Sequence, residues 1–121
     1  MINIYYKQQI GRNGEDIVAD YLCKKGYTIL DRNFNSWWGE IDIIALDKNE
    51  VVFVEVKTRS NKKYGNAAEA VDFNKKKHLF KTIEYYLYCK KLHNIFIRID
   101  VVEVYFSNGK VKINHIKKAI E

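Results

Sequence analysis

Four ionisable side chains stand at positions where the surrounding pattern leaves little room for charge: Glu15, Asp42, Glu55 and Lys57. Asp42 lies in GEIDIIALD, and Glu55 and Lys57 lie in VVFVEVKTR, two runs rich in β-branched residues around a polar break at Asp47-Lys48-Asn49-Glu50. That pattern predicts two strands of a hairpin, each apolar enough to be buried on both faces of a sheet. Charges in such runs are rarely left unpaired. Alternation places Glu40 and Asp42 on one face of their strand, and Glu55 and Lys57 on one face of theirs. A two-residue turn at Lys48-Asn49 pairs Asp47 with Glu50, and counting back sets Asp42 opposite Glu55 and Glu40 opposite Lys57. Facing residues have Cβ atoms roughly 4.5–5.5 Å apart, so the two carboxylates repel unless they share a proton or a cation.

A divalent metal is the economical explanation, and the chemistry it would serve is phosphodiester hydrolysis. That reaction needs a cation to neutralise the phosphate, an activated water and a stabilised leaving oxygen. Magnesium takes hard oxygen ligands and keeps several waters, so two carboxylates and a backbone carbonyl suffice. Asp42 and Glu55 fit as ligands, with the carbonyl of Val56 between Glu55 and Lys57. Lys57 could hold the attacking water or stabilise developing charge. Glu15 could complete the outer shell or help hold a second ion. Two plainer readings stand beside these. Glu55 and Lys57 could form salt bridges on a solvated face, and Glu15 could simply complement a helix dipole.

The elements that would position these residues follow from periodicity. Ile17, Val18, Tyr21 and Leu22 recur at helical spacing between Arg12 and Lys25, with Gly26 as the stop and Glu15 on the inward stripe. Met1 to Gly11 shows no clear period. Tyr27 to Phe34 reads as a strand, and Asn35 to Gly39 as a loop whose tryptophans pack over the end of the sheet, base stacking being the alternative. The hairpin of 40–59 follows, then an exposed, glycine-containing loop over 60–66. A helix is expected from Asp72 to Lys91, a strand from Ile95 to Phe106, an Asn-Gly turn, a last strand VKINHI and a frayed tail from Lys117. The order α-β-β-β-α-β-β describes an α/β sandwich around a mixed sheet, with the crossover helix letting the third and fourth strands run parallel. Asp100, inside an apolar run, calls for a basic partner.

The 121 residues fit a single domain over 1–121, and the 47% hydrophobic and 30% charged fractions exclude a disordered chain. No apolar run approaches the length of about 20 residues that a membrane span requires. The first residues lack the pattern of a secretory signal, which predicts a cytoplasmic protein. Cys23 and Cys89 form no CxxC pair and read as reduced, mostly buried thiols. The net charge of +6 favours a polyanionic partner. Arg59, Lys62, Lys63, Lys75 and Lys76 flank the acidic centre and are the candidate DNA contacts. With lysine dominant among the cations, those contacts lean towards phosphate rather than base edges.

An acidic residue on the first helix, then Asp, then Glu-x-Lys across a hairpin resembles the PD-(D/E)xK nuclease signature. More narrowly, GRNGEDIVADYLCKKGYTILDRNF, GEIDIIALD, VVFVEVKTR, YGNAAEAV with Lys75 after it, and RIDVVEV resemble the bacterial YraN family of predicted endonucleases. The resemblance implies a restriction-endonuclease-like α/β/α sandwich around a central mixed sheet, related to archaeal Holliday junction resolvases. It also implies active-site residues Glu15, Asp42, Glu55 and Lys57, and a Mg²⁺ or Mn²⁺ cofactor. Trp37-Trp38 departs from the smaller or more polar residues expected before GEID. The expected function is therefore a metal-dependent DNA endonuclease acting on branched or structured DNA, for which a homodimer would suit two-strand cutting. The alternatives are a non-cleaving nucleic-acid-binding or scaffold protein assisting repair, recombination or uptake, and a protein-interaction module. His93-Asn94 lacks the second histidine that an HNH nuclease would need.

Overall fold

The computed structural model describes residues 3–7, 13–59 and 73–120. Its elements are β1 (Asn3–Lys7), α1 (Gly14–Lys24), β2 (Thr28–Ser36), β3 (Gly39–Asp47), β4 (Glu50–Arg59), α2 (Phe73–Cys89), β5 (Phe96–Ser107) and β6 (Lys110–Ile116). The strands form one sheet in the order β1-β6-β5-β4-β3-β2, antiparallel except where β4 and β5 run parallel. The expected order is thus present, with one addition: Asn3–Lys7 is a sixth strand paired with β6. Edge pairing is made by backbone groups and needs no period in the side chains, which is why NIYYK gave no sign of it.

Each helix follows its apolar stripe. Ile17, Val18, Tyr21 and Leu22 of α1 pack on Ile43, Ala45, Val52, Val54, Val102 and Val104. Ile83 and Tyr86 of α2 pack on Ile41, Ile44, Val51, Phe53 and Ile99. The two helices therefore cover opposite faces, giving the expected α/β/α sandwich. Asn13 caps α1 by accepting from the Asp16 N–H at 2.9 Å, and Gly26, at φ +95°, turns the chain out of it. The β5–β6 turn has Asn108 and Gly109 both at positive φ, as a two-residue hairpin prefers.

Asp100, fully buried, accepts from Arg98 at 2.9 and 3.1 Å and from the Lys118 N–H at 3.1 Å, and lies 2.7 Å from His115 Nε2. Burial alone would raise its pKa, but these bonds outweigh it and hold the carboxyl below its ordinary value. Arg98 also reaches Asp47 and Glu50, tying β5 to the β3–β4 turn. The Lys118 bond, an Ala119 N–H bond to Ile99 O at 2.9 Å and the burial of Ile120 pin the tail that was expected to fray. Cys23 and Cys89 are exposed, not buried as expected, because they fall on the outer faces of their helices.

Candidate active site

β3 and β4 are joined by the two residues Lys48 and Asn49, and their pairing runs from Asp47–Glu50 to Ile43–Val54. That is the register read from the sequence, but the ladder ends one residue short of Asp42. There the alternation of β3 also breaks: Ile41 belongs to the α2-side core and Ile43 to the α1-side core, although they are two residues apart. The Asp42 side chain takes over from the backbone, its Oδ2 accepting from the Val56 N–H at 2.8 Å. Val56, read as a carbonyl ligand, meets Asp42 through its amide.

Asp42 is the most perturbed carboxylate here. Burial, together with the charges of Glu55, Glu15 and Glu40, raises its pKa from 3.8 to about 6, against the bond from Val56. Glu15, Glu40 and Asp42 each offer a carboxylate oxygen within 4.8 Å of the others. Glu15 reaches the group because Gly14 lets the first turn of α1 rest on β4. A Cβ at Gly14 would collide with the Thr58 hydroxyl and touch Val56. Glu40 arrives through the tight β2–β3 hairpin, where it pairs with Asn35 and Ser36 pairs with Gly39.

Between them stands Asn33, at φ +50°, whose Nδ2 donates to Glu15 Oε1 at 2.7 Å and Glu40 Oε1 at 2.9 Å. Asparagine tolerates this left-handed backbone better than most residues. Arg32 bonds Asp16 at 2.8 Å and stays 4.0 Å from Glu15. Glu40 and Asn33 were missed as site residues. Glu40 could have been added from its shared face with Asp42; Asn33 depends on a backbone conformation that residue type alone does not dictate.

Glu55 lies outside the three-carboxylate group, although its charge acts on Asp42 more strongly than that of Glu15 or Glu40. Its Oε1 is 3.5 Å from Lys57 Nζ, both side chains being partly buried. Alternation along β4 puts Glu55, Lys57 and Arg59 on the face of Val51 and Phe53. Arg59 is 3.8 Å from Glu103, which also accepts from Tyr105 and Asn114. Lys75 is exposed and Lys76 lies over the Phe80 ring. Lys62 and Lys63 lie outside the described residues, as does the expected helix cap Asp72.

The donor set suits a hard divalent cation: carboxylate oxygens from two elements, Glu15 of α1 and Glu40 and Asp42 of β3, with the pKa of Asp42 raised by burial and like charge. No helix among the described residues is long and apolar enough to cross a membrane. Residues 14–104 match the model of the uncharacterised protein family UPF0102. A UPF0102 protein of Clostridium botulinum (strain 657 / Type Ba4) is 47% identical over 120 residues, 97% of this chain and 98% of its own. One from Clostridium perfringens (strain ATCC 13124) is 44% identical over 116 residues, covering 94% and 95%. One from Caldanaerobacter subterraneus subsp. tengcongensis is 46% identical over 116 residues, covering 93% and 95%. Matched over most of its length by both the family model and these relatives, the chain belongs to the uncharacterised protein family UPF0102.

Proposed function

We propose that this protein is a divalent-metal-dependent DNA endonuclease of the PD-(D/E)xK type, as its resemblance to the YraN family implies, working in the cytoplasm on branched or structured DNA. The convergence of Glu15, Glu40 and Asp42 on one point, with Glu55 and Lys57 on the adjoining strand, carries the reading. Asp42, Glu15 and Glu40 would hold a Mg²⁺ or Mn²⁺ ion, with Glu55 close by. Such an ion, when bound, supplies charge neutralisation at the phosphate and acidifies water. Asp42, fixed by the Val56 N–H, sets the position of the centre. Lys57, 3.5 Å from Glu55, would supply a cation where charge develops on a phosphoryl group. Arg59, two residues on, offers a further donor for the DNA backbone. Cutting both strands would call for two copies of the chain.

One observation favours a second reading, a nucleic-acid-binding or scaffold protein that does not cut. Asn33 donates to both Glu15 and Glu40, and Lys57 pairs with Glu55, so these three carboxylates already have partners within the chain. Titration calorimetry with Mg²⁺ and Mn²⁺, run beside a supercoiled-plasmid assay, separates the two. The nuclease reading expects cation binding that Asp42→Ala abolishes, together with nicking that chelator stops. No cation binding and no nicking, with DNA still bound, would give the protein to the second reading.

A further inference from the structure

The β2–β3 turn carries a feature that the acidic centre does not use. Trp37 is 93% exposed, in a structure where its neighbour Trp38 is braced. Trp38 meets Tyr85 edge-on with ring centroids 6.3 Å apart, and Lys81 Nζ lies 5.5 Å from its centroid. The turn is fixed to α2: Ser36 Oγ accepts from the Trp38 N–H at 3.1 Å and lies 2.8 Å from the Oγ1 of buried Thr82. Gly39, at φ +147°, allows the exit from the turn that other residues would resist. Expecting both tryptophans to pack over the sheet end was therefore right in kind for Trp38 and wrong for Trp37. A two-residue turn anchored at Thr82 puts one indole against α2 and the other in solvent.

The surroundings of Trp37 say what it suits. Lys81, whose Nζ lies over the Trp38 ring, and Lys77, one helical turn before it on α2, form no ion pair among the described residues. Tyr85 and Tyr88, 42% and 79% exposed, continue along the same helix. Cations with no ion-pair partner among the described residues, interleaved with exposed rings, suit a polyanion that carries flat aromatic groups. Trp37 is three residues from Glu40, so their Cα atoms lie at most roughly 10 Å apart, a span of only a few nucleotides. A base inside a duplex has both faces covered by its neighbours, so an indole can stack only on an unpaired or terminal one.

We infer that Trp37 is a stacking platform for an unpaired base next to the acidic centre, with Lys77 and Lys81 holding the flanking phosphates, so that the protein selects nucleic acid with single-stranded character. The inference rests on the nuclease reading only in supposing that this face meets nucleic acid. Its test needs no turnover: affinities for short oligo-dT, oligo-U and a blunt duplex are measured by anisotropy in chelator. Wild-type protein should bind the single strands more tightly than the duplex. Trp37→Ala should lose roughly 5- to 150-fold in affinity for oligo-dT, the range for one stacked base, and Trp37→Phe should keep most of it. Duplex binding should be unchanged by either. In Trp38→Phe, where Trp37 is the one remaining tryptophan, oligo-dT should quench the emission. Joint replacement of Lys77 and Lys81 by alanine should lower the salt dependence by roughly two counterions. Tighter binding of oligo-dT than oligo-U would assign DNA as the source of the base, the reverse would assign RNA, and equality would support stacking without sugar preference. Full oligo-dT affinity in Trp37→Ala, or equal losses on oligo-dT and duplex, would overturn the inference and leave the nuclease reading standing. Failure of wild-type protein to bind any of the three would overturn both.

Discussion

Asp42→Asn should make the protein more stable at neutral pH while removing its response to divalent cations. The folded protein holds the Asp42 carboxyl at about 6 instead of 3.8, so it binds that proton more tightly than the unfolded chain. Stability contributed by this group therefore falls as pH rises through the interval between those values, and the cost is fully present above it. Unscreened, a shift of that size corresponds to about 3 kcal/mol, and partial exposure to solvent reduces it to about 1–2 kcal/mol. Asparagine keeps an oxygen to accept the Val56 N–H and removes the charge that meets Glu55, Glu15 and Glu40. For a chain of this size the melting temperature should rise by roughly 3–8 °C near pH 7.5, and the gain should largely vanish near pH 4. Adding Mn²⁺ or Mg²⁺ should stabilise the wild type, by about 2.7 kcal/mol at a hundredfold excess over Kd, and leave the variant unchanged. Calorimetric melts at the two pH values, with chelator and with metal, give all four numbers. A variant less stable than wild type near pH 7.5, or an equal gain at both pH values, would refute the electrostatic argument.

Other substitutions probe the supports of the site and the fold. Asn33→Ala loses two bonds to carboxylates and places a Cβ-bearing residue without a local polar partner at φ +50°; it should cost about 1–3 kcal/mol in urea unfolding and weaken Mn²⁺ binding in the same sample. Asp100→Ala leaves Arg98 and His115 buried beside an uncompensated gap and should cost about 3–5 kcal/mol, read as a drop in the urea midpoint; a loss below about 1 kcal/mol would mean that water replaces the carboxylate. Ile120→Ala should cost about 2 kcal/mol, since the side chain is 9% exposed and packs with Ile83 and Tyr86, whereas a frayed tail would make the change silent.

The parts of this structure that were legible in the sequence are those fixed by local rules. The polar break at Lys48-Asn49 set the β3–β4 register, and that register brought Asp42 and Glu55 to the same end of the hairpin. The stripe of Ile17, Val18, Tyr21 and Leu22 set the phase of α1, which put Glu15 within reach of β3. What escaped depends on contacts distant in sequence or on backbone alone. Strand β1 is held by pairing with a segment more than a hundred residues away, and its sequence has no alternation to betray it. Glu40 and Asn33 join the acidic group through the β2–β3 hairpin and a left-handed residue. The tail is pinned by a carboxylate and a carbonyl on β5. The ladder stops before Asp42 because the carboxylate captures the Val56 amide, an outcome that simple register counting does not include.

In the proposed nuclease reading, Glu15, Glu40 and Asp42 would hold a cation that promotes hydrolysis of DNA. Incubating purified protein with a labelled four-way junction, with linear duplex and with single strands, in Mg²⁺, Mn²⁺ or chelator, decides that reading. Wild type should give discrete products only with metal, and Asp42→Ala and Glu55→Ala should give none. Metal-dependent products that persist in both variants, or intact substrates at saturating protein and metal, would contradict it.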